Sequence, residues 1–281
     1  MAIRRISVIG GDLRQAEVAK LFSESGYEVT TYGMANPSET TAANAADADV
    51  IVLPMPVCVG DKINAPFFEG EILASEILDN MSWKTIVLGG KFPEFMKERM
   101  KRRNIIFEDY LEREELAIKN AEATAEGALE IAIHETPVTI NESRCIVTGW
   151  GRIAKFMALM LKNLGARVTI CARKLSARAE AESLGFLTTD IPKMEDKLSG
   201  CDIIINTAPA MLFDKEILEK ADKNTLIIDL ASRPGGVDFQ AADALGIKSI
   251  QALGLPGKTA YKTAGKIIYE AIGNILSELE V

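Results

Sequence analysis

The sequence predicts an α/β fold of two doubly wound domains joined by two long helices, and three observations lead there. Short apolar runs alternate with amphipathic helical stretches along the whole chain, the pattern of repeated strand–helix–strand units. One apolar run, Cys145-Ile-Val-Thr148, breaks into Gly149-Trp-Gly151-Arg-Ile-Ala154 and then into an amphipathic helix. Two extended helical patterns, 111–134 and 258–279, separate the halves and close the chain.

The N-terminal half reads as strand 4–9, helix 13–25, strands 27–32 and 49–53, helix 70–80, strand 84–88, helix 93–103 and strand 104–107. Gly10-Gly11 and Gly26 punctuate it as loop formers. The helical pattern 111–134 carries Leu116, Ala117, Asn120, Ala121, Ala128, Leu129, Ala132 and Ile133 as its apolar or small positions, with a break expected near Ala123–Ala125, and it ends at Thr136-Pro137. The second half reads as strand 144–148, helix 152–164, strand 167–172, helices 176–184 and 193–198, strand 202–206, helix 214–219, strand 225–230, helix 238–245 and strand 247–250. Its order is Rossmann-like, so two Rossmann-like domains are expected: 1–118 completed by the helix 263–281, and 119–262. Two linking helices suggest a cleft with a hinge.

At 281 residues the chain is long enough for two cores. No apolar run approaches the roughly 18 residues that span a membrane, and the first residues lead straight into a strand, so a cytoplasmic protein is expected. Cys58, Cys145, Cys171 and Cys201 are dispersed, which fits buried thiols rather than disulfides or zinc ligands. A net charge of −8 opposes nucleic-acid binding. With His134 as the single histidine, neither a metal site nor a histidine-based triad is expected.

In the turn after 144–148, Gly149 permits the tight strand-to-helix change and Gly151 lets backbone approach a pyrophosphate. The N–H groups from Gly149 through Trp150, Gly151, Arg152 and Ile153 then face the anion at a helix start. The next strand ends in Cys171-Ala-Arg173-Lys174, followed by Arg178, where an acidic residue would hold the ribose diol of NAD. Three cations and no carboxylate favour a 2′-phosphate, hence NADP with NAD as the second choice, and Arg173 is the first candidate for it. A solvated basic loop is the alternative. Asn206-Thr207-Ala208-Pro209 follows a strand at the carboxyl edge of the sheet and could line the nicotinamide ribose. Arg233 stands in a glycine-rich turn after the strand ending Ile228-Asp229, facing the reaction site or making a loop salt bridge.

In the first half, Gly10-Gly11-Asp12-Leu-Arg14 is a second strand-to-helix turn. Its N–H groups with Arg14 form a candidate clamp for a substrate carboxylate, unless Asp12 is only an N-cap and Arg14 a solvated first-turn residue. Near the domain junction, Asn120 to Gly127 offers Thr124 and Glu126. Lys258 and Lys262, four residues apart, are expected on one face of a helix, towards a dianion or water.

Taken together, Ile9 to Gln15, Asn120 to Gly127, Gly149 to Arg152, Asn206 to Pro209, Asp229 to Gly236 with Asp238, and Gly254 to Lys258 with Lys262 to Gly265 resemble the family of dipicolinate synthase A subunits over nearly the whole chain. Trp150, Ala154 and Ala123 depart from the residues expected at those places. The resemblance implies NADP-dependent oxidation of dihydrodipicolinate, formed from 4-hydroxy-tetrahydrodipicolinate, to dipicolinate in the mother cell of a sporulating bacterium. It also implies, as partner, the flavoprotein-like dipicolinate synthase B subunit. A flat dicarboxylate needs a cation or amide nest at each end, for which Arg14 and Arg233 are suitable types, and Glu126 or Lys258 could take the proton. Asp12, Thr124 and Lys262 join them as substrate-binding candidates. A homo-oligomer is left open.

Two other readings compete. A D-2-hydroxyacid dehydrogenase shares the two-domain plan and an arginine after a late strand, but here Pro256 is followed by Gly257-Lys258 where that family carries a catalytic histidine. A non-catalytic nucleotide-binding scaffold for the flavoprotein-like partner is the other.

Overall fold

The computed structural model describes residues 3–34 and 37–280; Met1, Ala2, Ala35, Asn36 and Val281 lie outside the described residues. The first half contains β1 (Arg5–Ile9), α1 (Leu13–Glu24), β2 (Glu28–Tyr32), α2 (Ala42–Ala46), β3 (Val50–Val52), β4 (Cys58–Val59), β5 (Lys62–Ile63), α3 (Ala74–Asn80), β6 (Ile86–Gly89), α4 (Glu94–Arg102) and β7 (Ile106–Asp109). After α5 (Glu114–Glu135) come β8 (Arg144–Thr148), α6 (Arg152–Asn163), β9 (Arg167–Cys171), α7 (Leu175–Ser183), β10 (Leu187–Thr189), β11 (Ile203–Asn206), α8 (Lys215–Leu218), β12 (Leu226–Asp229), α9 (Phe239–Leu245), β13 (Lys248–Gln251), α10 (Leu255–Thr259) and α11 (Tyr261–Glu278).

Five parallel strands form one sheet in the order β2-β1-β3-β6-β7, and six form the other in the order β10-β9-β8-β11-β12-β13. In the six-stranded sheet the order reverses beside β8, so loops leaving β8 and β11 diverge there and open the crevice where α/β sheets take ligands. The chain divides into two compact units, 1–120 with 256–281 and 121–255, against the expected 1–118 with 263–281 and 119–262.

Each unit has its own apolar core. Central strands are buried on both faces, which is why Val50–Val52 and Ile203–Ile205 read as unbroken apolar runs. In the first unit, Ile267, Ile268, Ala271, Ile272 and Ile275 of α11 pack with Val18, Ala19 and Phe22 of α1. In the second, Ala154, Met157, Ala158 and Leu161 of α6 cover Cys145, Val147, Val168 and Ile170. Ala154, with no exposed surface, permits the close helix–strand approach the nucleotide turn needs.

Two expectations are corrected. The break near Ala123–Ala125 does not occur: α5 runs unbroken, because Ala123 and Ala125 are buried helix formers with no competing turn signal. The helix expected over 258–279 is interrupted at Ala260 (φ −138°, ψ 45°), which leaves the short α10 before α11. Lys258 and Lys262 therefore stand on different helices, and the shared face inferred from their spacing is lost. Among elements without a sequence expectation, α2 spans five residues, β10 three and the β4–β5 hairpin two per strand. Such short pieces carry no readable period.

Asp12 caps α1: its side chain accepts from the Arg14 N–H and Gln15 reaches back to the Asp12 N–H, a capping box. Arg14 closes on the same carboxylate, with Nε 2.9 Å from Oδ1 and Nη2 2.7 Å from Oδ2. Burial raises the Asp12 pKa, but the hydrogen bonds and charge of Arg14 outweigh it and the net shift is downward. The sign follows directly. Native Asp12 holds its proton less tightly than in the unfolded chain, so its contribution is complete above the ordinary carboxylate value of 3.8 and fades as pH falls through the lower native value. Asp12→Ala is expected to lower stability by about 1 kcal/mol at neutral pH, and denaturant melts of both proteins should converge below pH 3.8.

Candidate active site

The second unit holds a cavity of about 730 Å³ at the carboxyl edge of its sheet, within the range of small-ligand sites. Gly149, Trp150, Gly151, Arg173, Lys174, Ala208 and Pro209 line it together with Cys171, Ala172, Ala177, Asp190, Ile191, Pro192, Ala210 and Leu212. Arg152, Ile153, Arg178, Asn206 and Thr207 lie outside this lining.

Gly149 has φ +89°, and a Cβ there would come within 2.7 Å of the Thr207 hydroxyl oxygen. Conformation and space both demand glycine. Gly151 is different: its backbone is extended (φ −84°, ψ −173°), and a Cβ would meet no atom within 4 Å. Nothing in the protein requires glycine at 151, whereas open space beside the backbone at the start of α6 is what a pyrophosphate needs.

Trp150 forms a wall of the cavity. Its ring meets Phe186 edge-on at 5.6 Å between centroids, and Lys155, paired with Glu180 at 2.6 Å, lies 5.8 Å from the ring centre. Arg173 and Lys174, also in the lining, are exposed and carry no ion pair among the described residues. Arg178 is committed: Nη1 donates to the carbonyls of Ala172 (2.6 Å) and Arg173 (3.2 Å) and pairs with Asp190 at 3.1 Å. It ties the ends of β9 and β10 together, which leaves two of the three expected cations facing the cavity. Asp190, missed in the sequence because β10 was missed, brings one carboxylate to the lining.

Asn206 and Thr207 do not present their side chains to the cavity. Thr207 donates to the Thr148 carbonyl at 2.6 Å. Asn206, fully buried, accepts from the Thr148 hydroxyl (2.5 Å) and the Ala208 N–H (3.2 Å), and donates to the Ala208 carbonyl (3.1 Å) and Asp229 (2.7 Å). Asp229, also fully buried, takes the Ala231 N–H on the same oxygen (3.0 Å) and the Gly236 N–H on the other (2.9 Å). Thr148, Asn206 and Asp229 are register partners on β8, β11 and β12, so a polar row crosses the carboxyl edge of an otherwise apolar sheet. Arg233 sits exposed on the turn that Asp229 holds and has no ion pair among the described residues.

The remaining candidates are placed as follows. Glu126 is exposed and Thr124 half-buried on α5, neither in the cavity lining, and Lys258 and Lys262 are exposed. His134 lies in the last turn of α5. No group of three or more histidine, cysteine, aspartate or glutamate side chains suited to a metal ion occurs among the described residues, and none of their helices is long and apolar enough to cross a membrane. The thiols are shielded: burial pushes Cys145 and Cys58 to about 11, Cys171 to about 12, and Cys201 higher still.

Comparisons with known proteins agree with this geometry. Residues 5–111 match the N-terminal domain of the dipicolinate synthase A subunit, and residues 118–255 match the D-isomer specific 2-hydroxyacid dehydrogenase NAD binding domain. The dipicolinate synthase A subunit of Bacillus subtilis is 31% identical over 260 residues, 88% of this chain and 86% of that one. The crystal structure of the dipicolinate synthase A subunit from Bacillus halodurans superposes with a TM-score of 0.87 at 30% identity, covering 97% of each chain. A transhydrogenase from Sinorhizobium meliloti shares the fold, with a TM-score of 0.71 at 16% identity over 98% of this chain and 94% of that one. The cofactor class is a nicotinamide dinucleotide and the chain is an NAD(P)-dependent oxidoreductase. On sequence identity, coverage and the match of its N-terminal domain, it belongs to the family of dipicolinate synthase A subunits.

Proposed function

We propose that this protein oxidises dihydrodipicolinate, formed from 4-hydroxy-tetrahydrodipicolinate, to dipicolinate with NADP, in the cytoplasm of the mother cell of a sporulating bacterium and alongside a flavoprotein-like B subunit. The observation that carries the reading is the dinucleotide cavity in the unit that also holds the exposed, unpaired Arg233. The relatives named as dipicolinate synthase supply the substrate class.

The chain's own groups divide the work. Amides at Gly149 to Ile153 hold the pyrophosphate at the start of α6, with Arg152 beside them. Trp150 and Ala208 to Pro209 bound the nucleotide, and Asn206 and Thr207 support that wall from behind. Arg173 and Lys174 take the 2′-phosphate, with Arg178 fixing the loop beneath them. Arg233 receives a substrate carboxylate through paired hydrogen bonds. A bound nicotinamide would supply the hydride acceptor for the substrate ring carbon. Because the product ring is aromatic, little acid–base power is needed; Glu126 takes the proton, with Lys258 the other candidate. Thr124 on α5, with Asp12, Arg14 and Lys262 of the first unit, are the remaining substrate-binding candidates, and the Asp12–Arg14 pair acts as one preformed group rather than a free guanidinium. The 2-hydroxyacid dehydrogenase reading lacks its base, since the single histidine lies at the end of α5.

Purified protein supplied with NADP and freshly generated 4-hydroxy-tetrahydrodipicolinate should form the ultraviolet band of dipicolinate. Reduction of NADP by 2-hydroxy acids instead would sink the assignment, and product formed only after adding the flavoprotein-like partner would make this chain a scaffold. Arg173→Ala should raise the NADP dissociation constant about 10- to 100-fold, the loss of a charge-assisted phosphate contact, while NAD changes little; isothermal calorimetry with both nucleotides reads the difference.

A further inference from the structure

We infer that Asn206 and Asp229 are positioning residues that set the Arg233 turn against the dinucleotide turn. This rests on the proposed role of Arg233. The two side chains are interior, in register, and bonded at every acceptor in a way that reaches both loops. Asn206 holds the cavity wall through both the N–H and the carbonyl of Ala208, and it meets Thr148, the residue immediately before Gly149. Asp229 holds the other loop at its two ends, Ala231 and Gly236, with Arg233 between them.

A buried carboxylate held by N–H donors alone is a costly choice in an apolar sheet, and a fully bonded polar network fixes one arrangement of the loops it touches. The chemistry of Asp229 is specific. Its two oxygens take three N–H donors, Asn206 and Ala231 on one and Gly236 on the other. An asparagine there has one oxygen; if that oxygen keeps Asn206 and Ala231, its NH2 faces the Gly236 N–H and releases that end of the turn. The orientation of Asn206 is fixed in the same manner, because its oxygen faces the Ala208 N–H and its nitrogen a carboxylate and a carbonyl.

The test uses dipicolinate as the probe, titrated into the full chain with and without saturating NADP. Asp229→Asn should raise the dipicolinate dissociation constant and the substrate KM about tenfold or more, with kcat and NADP affinity changing less than about threefold. Thr148→Val is the gentler variant: a β-branched residue of similar shape suits the strand, and only the hydroxyl contact to Asn206 is removed. The coupling predicts that NADP strengthens dipicolinate binding to the wild type, and in Thr148→Val that strengthening should fall towards onefold. Unchanged dipicolinate affinity in folded Asp229→Asn, or an NADP effect in Thr148→Val equal to that of the wild type, overturns the inference. If the wild-type chain binds NADP but no dipicolinate, the proposed function fails instead, and amide exchange then decides the positioning role: NADP should slow exchange at Ala231 and Gly236 in the wild type and not in Thr148→Val. Equal exchange in both would overturn it.

Discussion

Gly151→Asp is expected to abolish dinucleotide binding while leaving the protein as stable as before or slightly more so. The two effects have opposite signs because they come from different neighbours. On the protein side, residue 151 is the N-cap of α6 in extended backbone, with nothing within 4 Å of a Cβ. Aspartate is a good N-cap, better than glycine by a few tenths of a kcal/mol, and its charge complements the helix start. On the ligand side, the new carboxylate occupies the space of the pyrophosphate and repels it. Loss of the amide contacts together with like-charge repulsion should raise the NADP dissociation constant more than about 100-fold, or about 2.7 kcal/mol. Calorimetric titration with NADP and a thermal melt of the unliganded protein, run on one preparation, read both signs. A fall in melting temperature that matches the lost affinity would mean that Gly151 is a packing glycine and that the cavity is not the nucleotide site.

Arg233→Gln should lower kcat/KM for the dicarboxylate by roughly 100-fold through loss of a charged, bidentate carboxylate contact, and leave NADP affinity within about threefold. The separation follows from position: Arg233 is exposed on its turn, is absent from the lining of the dinucleotide cavity, and makes no ion pair among the described residues whose loss would unsettle the fold. Glutamine is shorter than arginine but keeps hydrogen-bonding capacity without charge, and because the side chain at 233 is exposed the fold should tolerate it. Steady-state rates with varied substrate at saturating NADP provide the measurement. Equal losses in NADP affinity and turnover would place Arg233 in the nucleotide site, and no loss at all would remove it from the reaction.

The strand-to-helix turn after β8 was legible in the sequence because three features coincide within six positions: the left-handed backbone at Gly149, open space at Gly151 and close packing at Ala154. The central strands were legible for a related reason, since a fully buried parallel strand announces itself as an apolar run, as Ile203–Ile205 does in β11. What stayed hidden was which partner each polar side chain would choose. Arg173 and Arg178 look equivalent as letters, yet one faces the cavity and the other is spent on two carbonyls and Asp190. Asn206 ends a strand beside the cavity and still turns inward, because Thr148 and Asp229 stand level with it on neighbouring strands. Registers between distant segments decide such matters, and a single sequence shows only spacings along the chain. The interruption at Ala260 escaped for a local reason: alanine is the best helix former, so nothing at that residue signals a break.

The four native cysteines carry a practical consequence. With every thiol held in a form that ionises far above neutrality, none is a ready nucleophile towards maleimides or iodoacetamide. A cysteine introduced at Met211, which is 56% exposed between Ala210 and Leu212 of the cavity lining, would therefore react first in an otherwise wild-type background. A dye could be attached at the rim of the 730 Å³ cavity without stripping out any natural sulfhydryl.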